Sequence, residues 1–100
     1  MSSVGTEYKV NIHMEPMGEI HLADCEVVAE FHTGTSRKHI ITKQEMRKVD
    51  DDNYIAIVDS AMTGSGKLGV KLILGLPDAD CDDGVRKEVQ NLDTGIFIAL

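Results

Sequence analysis

Short alternating segments separated by turn residues dominate this chain of 100 residues and predict an all-β fold. Apolar and polar residues alternate with a period of two in several segments, which is the repeat of a strand with one face in a core. Glycine, proline, asparagine or aspartate separates these segments at short intervals. We therefore predict an immunoglobulin-like antiparallel β-sandwich of six or seven short strands, with at most one short helical turn.

The length of the chain predicts a single domain. We expect residues 6–100 to form the sandwich and residues 1–5 to be a flexible N-terminal arm. The chain has only two Tyr, two Phe and no Trp, so its core must consist mainly of aliphatic side chains.

The stretch from Asn53 to Asp78 holds two apolar runs joined by a glycine-rich connector. The first run, Tyr54 to Val58, is rich in β-branched and aromatic residues. The second run, Leu68 to Leu76, alternates strictly, with Leu or Val at every second position. This pattern predicts a β-hairpin-like unit whose Leu/Val face is buried.

The N-terminal third contains two further strand patterns. Thr6 to Glu15 alternates like a half-buried strand, and Pro16-Met17-Gly18 ends it with turn residues. A second strand begins at Ile20, but its apolar residues change parity before the run Cys25 to Phe31. At that change we predict a β-bulge or an irregular bend near Ala23-Asp24.

The middle of the chain supplies a short strand and the only helix candidate. Lys38 to Thr42 is predicted as the strand, and Lys43 to Val49 as one or two helical turns. Thr42 before this segment and Glu45 three residues later match a capping box.

The C-terminal quarter is predicted to add a loop and two strands. Asp78 to Gly84 is an acidic loop, and Arg86 to Asp93 follows it with a strand-like pattern. Thr94-Gly95 is predicted to turn the chain. Ile96 to Leu100 then closes the fold as a last apolar strand.

The formal net charge of −7 limits the partners of this chain. Nucleic acids and anionic membranes both attract basic surfaces, so we expect neither as a partner. An acidic surface suits a basic patch on another protein. The sequence shows no signal peptide and no run of ~20 apolar residues, so we expect synthesis in the cytoplasm of the producing cell.

The glycine-rich run Thr63 to Lys67 matches a phosphate-binding loop only in part. That motif requires a first glycine where Ala61 stands, and Ser or Thr where Leu68 stands. A helix must also follow the loop, whereas Leu68 to Leu76 is predicted as a strand. We interpret the run as a turn between strands and expect no nucleotide or other cofactor.

Four aspartates of the acidic loop are the candidate metal ligands: Asp78, Asp80, Asp82 and Asp83. Carboxylates crowded on one loop repel one another unless a cation neutralises them, which leaves a calcium site open. An EF-hand requires glycine and glutamate where this chain has Asp83 and Val89. That missing ligand pattern favours the alternative, a solvated loop that holds no metal.

No arrangement of residues indicates catalysis. The histidines lie on separate segments without the spacing of a zinc site, and we expect His13 and His32 to face solvent. Cys25 shares its parity with core residues, and both it and Cys81 are expected to stay reduced. We therefore predict that the protein has no catalytic residue and is not an enzyme.

Several runs along the chain carry a family resemblance: Ile41-Thr42-Lys43-Gln44-Glu45-Met46, Val49-Asp50 to Asp59, Gly64-Ser65-Gly66-Lys67-Leu68, Leu76-Pro77-Asp78-Ala79-Asp80, Asp83-Gly84-Val85-Arg86, Glu88-Val89 and Asp93-Thr94-Gly95-Ile96. They resemble small structural proteins of phages and prophages, of the kind common in phages of Bacteroides-type gut bacteria. The layout is also similar to the immunoglobulin-like N-terminal domain of phage baseplate upper proteins, which docks appendages onto the particle. These motifs are turns and strand edges, which specify a fold more than an activity.

The resemblance implies a non-enzymatic virion protein that binds other virion proteins and occurs in multiple copies in an assembly. Its expected place is the capsid, the connector or the tail, as a small decoration protein or adaptor. The alternative function is a stand-alone β-sandwich module that binds a ligand, with calcium as a possible requirement.

Docking is expected at the outer strands of the sandwich, because edge strands leave backbone N–H and C=O groups unpaired. We predict that Thr6 to Met14 and Ile96 to Leu100 form these edges. The second segment is apolar on both parities, which indicates that both of its faces are covered. Ile96, Phe97 and Ile98 are therefore the candidate docking residues; a central position in the sandwich with an apolar outer face would produce the same pattern.

Overall fold

Two antiparallel β-sheets form a sandwich, which confirms the predicted all-β class. The structure, a computed structural model, describes residues 2–3, 6–16, 18–34, 37–82 and 84–99, without the side chains at positions 2, 3, 97 and 99. The strands are, in chain order, β1 (Ser2–Ser3), β2 (Glu7–His13), β3 (Glu26–His32), β4 (Lys38–Thr42), β5 (Arg47–Asp50), β6 (Asn53–Asp59), β7 (Gly66–Pro77) and β8 (Val85–Ala99).

The larger sheet has the strand order β1-β8-β7-β3-β4, and the smaller sheet has the order β2-β6-β5. The architecture is a β-sandwich in which β3 lies between β7 and β4. Of the predicted N-terminal arm, Ser2 and Ser3 pair in parallel with Ile98 and Ala99, while residues 1, 4 and 5 lie outside the described part.

The core lies between the facing sides of the two sheets. The predicted alternation is confirmed on β2 and on β7, where every inward side chain from Leu68 to Leu76 is buried and Val10 and Ile12 are buried opposite them. The other buried apolar residues are Leu22, Cys25, Val27, Ala29, Phe31, Ile41, Met46, Tyr54, Ala56, Val58 and Ile98. Among the described residues, no helix has the length and apolar content that a membrane crossing requires.

The predicted hairpin between the two central runs is wrong, because β6 and β7 belong to different sheets. The connector between them contains a helical turn, α1 (Ser60–Thr63), which the sequence did not predict. The Asp59 carboxylate caps this turn by accepting a hydrogen bond from the Ala61 N–H at 2.9 Å. A hairpin would align both apolar faces in one sheet, whereas the crossing connector places them opposite each other across one core.

Two irregular segments refine the predictions for the first half of the chain. The parity change after Ile20 is a 3₁₀ turn at Leu22–Asp24, so the predicted bend is present but is not a β-bulge. The predicted helix at Lys43–Val49 is wrong beyond its first turn, since a 3₁₀ turn covers only Lys43–Glu45 and β5 follows. The predicted cap is present: Glu45 Oε1 accepts hydrogen bonds from the N–H and the hydroxyl of Thr42.

The predicted turn at Thr94-Gly95 is also wrong, because β8 runs without interruption through these residues. Its register against β7 shifts between the pairs Gly69–Asp93 and Lys67–Phe97, so these residues form a bulge. Gly95 has φ +77°, and the Asp93 carboxylate accepts its N–H at 2.9 Å. Turn-forming residues thus bend a single strand here, because the partner strand β7 continues past the site.

We predict that Leu72→Ala will lower the free energy of unfolding by about 2–5 kcal/mol, because the change leaves a cavity under β7. Leu72 is 4% exposed. The matched control is Leu92→Ala, whose side chain is 47% exposed, and we expect it to cost less than about 1 kcal/mol. Urea unfolding of both variants measures the difference, and equal losses would contradict the described core.

Candidate functional site

The acidic loop does not assemble its aspartates into a metal site within the described residues. Asp78 Oδ2 lies 3.2 Å from Arg86 Nε, and Asp78 Oδ1 accepts the Asp80 N–H at 3.0 Å. The Asp78 carboxylate therefore holds the turn and the start of β8 together. No group of three or more potential metal ligands occurs in the described part of the chain, and Asp83 lies outside it. Asp80 and Asp82 are exposed.

The glycine-rich connector leads into a strand, as the sequence predicted, since β7 begins at Gly66. Lys67 Nζ lies 2.6 Å from Asp93 Oδ2, so this lysine pairs with the neighbouring strand β8. A depression of about 410 Å³ lies beside this ion pair, over Gly69 and next to His32. The charges of Lys67 and Asp93 neutralise each other, so the depression has little net charge with which to bind a charged ligand.

The histidines and cysteines do not converge on one site. His21 Nδ1 lies 2.9 Å from Asp52 Oδ1, next to the start of β6, whereas His39 Nδ1 accepts the Asp59 N–H at 3.2 Å at the end of β6. Cys25 is buried as predicted, and burial raises the pKa of its thiol. A thiol with a raised pKa is a poor nucleophile at neutral pH.

The structure places the three predicted docking residues at the C-terminal end of β8. Ile98 is fully buried in the core, and Ile96 is partly buried against it, so these two side chains face the interior. The side chain of Phe97 lies outside the described part. The backbone at Ile98 and Ala99 is paired with β1 on its outer side.

The other predicted edge, β2, is the outermost strand of the smaller sheet. It pairs with β6 in an unbroken antiparallel register from Glu7–Asp59 to His13–Asn53. Just beyond the two ends of β2, the Ser60 N–H donates to Thr6 O and the Met14 N–H donates to Asp52 O.

These two bonds determine which backbone groups of β2 remain available. In an antiparallel pair, residues that exchange hydrogen bonds alternate with residues whose N–H and C=O point away from the partner. Thr6 and Met14 bond towards β6, so the even-numbered residues between them do so as well. Lys9, Asn11 and His13 therefore direct their N–H and C=O groups to the open side of β2.

Strand β8 projects past this open side, because the larger sheet is wider than the smaller one. Leu72 and Leu74, on the core side of β7, pair with Gln90 and Glu88, and Val70 pairs with Leu92. These three β8 residues share the inward face, yet Leu92 is 47% exposed and Gln90 is exposed as well. No described strand covers them.

The open side of β2 and the uncovered face of β8 together border a groove, which we call the β2–β8 groove. One cavity of about 190 Å³ lies between Val10 to His13 on β2 and Leu92 to Thr94 on β8, with Val70 and Leu72 at its base. A second cavity of about 340 Å³ adjoins it at His13. The lining of this second cavity is His13, Met14, Glu15, Leu74, Glu88 and Gln90.

Two other edge strands, β5 and β4, are less suited than β2 to pairing with a further strand. Edge strand β5 has only four residues, all exposed, and its register against β6 shifts after Lys48. Strand β4 has five residues, and α1 lies close to it. Short, charged or partly covered edges resist the addition of a strand, so β2 offers a better edge for docking than β4 or β5. In the described part of the chain, the outer side of β8 is paired with β1 only at Ile98 and Ala99.

His13 lies at the junction of the two cavities and contacts two acceptors. Its Nδ1 lies 2.9 Å from Asn53 Oδ1, and its Nε2 lies 3.2 Å from Glu15 Oε1. A neutral imidazole has one N–H and can donate to only one of them, whereas the imidazolium donates to both. The hydrogen bond to Glu15, assisted by the bond to Asn53, therefore raises the pKa of His13.

Sequence reasoning predicted β2 as an edge but did not predict the groove. One signal was present: the inward positions of β8 carry Arg86, Glu88 and Gln90, which are polar residues where a covered strand would be apolar. Comparisons with known protein families, curated proteins and solved structures find no match to this chain.

We predict that Asn11→Pro will leave the protein folded, with a free energy of unfolding within about 1 kcal/mol of the parent, because the lost N–H points away from β6. Ile12→Pro removes an N–H that bonds to β6. We expect it to lower this free energy by at least about 1 kcal/mol more than Ile12→Ala, which removes the buried side chain alone. If both proline variants unfold alike in urea, the assigned parity of β2 is wrong.

We predict that the pKa of His13 lies above 6.5 in the folded protein, as the arrangement around its ring requires. Because the folded pKa is raised, protonation of His13 stabilises the fold; this contribution is complete below the unfolded pKa and is lost as the pH rises through the folded pKa. Titration of the imidazole signals by NMR measures the shift. Glu15→Gln should reduce it, and an unchanged pKa in that variant would contradict the assigned cause.

Proposed function

We propose that this protein is a non-enzymatic structural module of a phage particle, which docks onto other virion proteins through the open edge of β2. The observation that carries this proposal is the row of outward N–H and C=O groups at Lys9, Asn11 and His13 beside the uncovered face of β8. An exposed sheet edge binds an extended chain through backbone hydrogen bonds, and neighbouring pockets select its side chains.

The fold supports a role in docking rather than in chemistry. Several titratable side chains in the described part hold turns and strands together, as Asp78 does with Arg86 and Asp93 with Lys67. The calcium-dependent ligand module, the alternative function, receives no such support from the acidic loop. Asp78 is already engaged there, and Asp80 and Asp82 extend into solvent.

The assignment to a phage particle is supported by the sequence resemblance. Two of the resembling runs form well-defined local structures: Thr42 and Glu45 form the cap of the 3₁₀ turn, and Asp93 to Ile96 form the bulge of β8. Both runs thus shape the sheets. Neither run supplies a catalytic group, which agrees with a structural role.

The test is incorporation into particles. We predict that particles purified by density from induced lysates of a strain carrying the gene will contain this protein in a constant ratio to the major capsid protein. Complementation with Asn11→Pro should abolish incorporation, because the proline removes an outward N–H at the centre of the edge. The matched variant Asn11→Ala keeps that N–H and should be incorporated normally.

Mass spectrometry of the banded particles measures both outcomes. A protein that stays in the soluble fraction would disprove the virion assignment. Normal incorporation of a folded Asn11→Pro variant would disprove docking through β2, and the C-terminal end of β8 with Phe97 would then be the edge to test.

A further inference from the structure

We infer that the β2–β8 groove binds a single extended segment of a partner protein, in which an apolar residue and a Lys or Arg lie four positions apart on one face. This inference rests on the proposed docking function and specifies the partner. Three features of the groove carry it: its width, its outer border and the different chemistry of its two ends.

The width of the groove matches one strand. The larger sheet places β8 beyond β7, while the smaller sheet ends at β2, so the strand position above β8 is unfilled. Neighbouring strands lie about 4.8 Å apart and packed sheets about 10 Å apart. A strand bonded to the outward groups of β2 would therefore lie over β8 and become the fourth strand of the smaller sheet.

The border of the groove excludes a second folded copy of this chain. Val10 and Ile12 of β2 share a cavity with Val70 and Leu72 of β7, so β7 lies beneath β2. If two copies paired their β2 edges, the β7 strand of each would enter the space that β8 of the other occupies. The projecting β8 thus admits an extended segment and blocks an intact sheet.

The two ends of the groove differ in chemistry. The end at Val10 and Ile12 is apolar, and Leu92 presents its half-exposed side chain there. The end beyond His13 has a carboxylate on each side, Glu15 on the β2 side and Glu88 on the β8 side. Neither cavity is lined by a Lys or Arg; Glu15 Oε1 lies 3.2 Å from His13 Nε2, and Glu88 Oε2 lies 3.9 Å from a guanidinium nitrogen of Arg86.

The spacing of residues along β8 predicts a residue pattern for the partner segment. Leu92, Gln90 and Glu88 are successive inward residues, so about 13 Å separates the apolar end from the acidic end. A strand above them has the same repeat. It would place an apolar side chain over Leu92, a polar one over Gln90, and a Lys or Arg between Glu15 and Glu88.

The experiment titrates ¹⁵N-labelled protein with two capped synthetic peptides, acetyl-TVTQTKT-amide and acetyl-TKTQTVT-amide, which present the pattern in the two strand directions. We expect one of them to shift the amide signals of Lys9, Asn11 and His13 with a dissociation constant of about 1 mM or tighter. Replacing the peptide lysine by glutamate should weaken binding at least about threefold.

Variants of the protein separate the two parts of the inference. Asn11→Pro should abolish the shifts and Asn11→Ala should retain them, because backbone bonding carries the interaction. Glu88→Gln should weaken the lysine peptide about threefold. The matched control Glu30→Gln removes one negative charge from β3, outside the groove lining, and should leave binding unchanged.

Three results would overturn the inference: no shift with either peptide at about 5 mM, equal binding of the glutamate peptides, or shifts away from β2 and β8. A dimer in analytical ultracentrifugation that Asn11→Pro abolishes would assign the edge to a second copy instead. If the peptides fail while Asn11→Pro still blocks incorporation into particles, docking through β2 stands and only the partner chemistry is wrong. If the peptides bind but the protein is absent from particles, the virion assignment falls and the groove remains a binding site.

Discussion

The buried Leu/Val face of β7 is the constraint on which the rest of this structure depends. Strand β7 pairs with β3 on one side and with β8 on the other, and it buries five side chains from Leu68 to Leu76. Its opposite face carries glycines where neighbours approach closely. An added Cβ at Gly69 would lie 2.9 Å from His32, and one at Gly75 would lie 2.9 Å from Val85. Both faces of β7 are therefore suited to a central position in the sheet.

Covering that face requires a second sheet, and the cover is narrower than the surface beneath it. The smaller sheet has three strands, which reach from β5 to β2 and leave β8 without a counterpart. The sequence of β8 fits this position, since the inward residues Arg86, Glu88 and Gln90 are polar and Leu92 is half-exposed, whereas Ile96 and Ile98 join the core. The groove thus follows from the unequal widths of the two sheets.

The same inequality sets the surroundings of the exposed edge of β2. An open strand with alternating residues pairs readily with other open strands, and natural sheets protect such strands. Here β8 extends beneath the open side of β2. The partner that we infer for this groove is a segment without a sheet of its own, and such segments are found at chain termini and loop tips.

Local patterns were enough to predict several elements of this fold. The alternation of Thr6 to Glu15 and of Leu68 to Leu76 predicted β2, β7 and their buried faces, because a period of two is a property of the strand itself. Strand β4 at Lys38–Thr42 and the cap formed by Thr42 and Glu45 were predicted with their bounds. Both depend on residues only a few positions apart, which interact whatever the rest of the chain does.

What the sequence by itself determined is most of the strands, the buried faces of β2 and β7, and the all-β class, whereas β1 was predicted as part of an arm and β5 as part of a helix. Which strands pair was decided only by the tertiary structure. The connector at Ser60 to Ser65 could close a hairpin or cross to the other sheet, and the choice depended on where β2 and β3 lay. Thr94-Gly95 became a bulge because β7 continues opposite it, and Ile98 became core because the sheets close there. The groove needed both sheets in place, since a position left open between two sheets is encoded in no single segment.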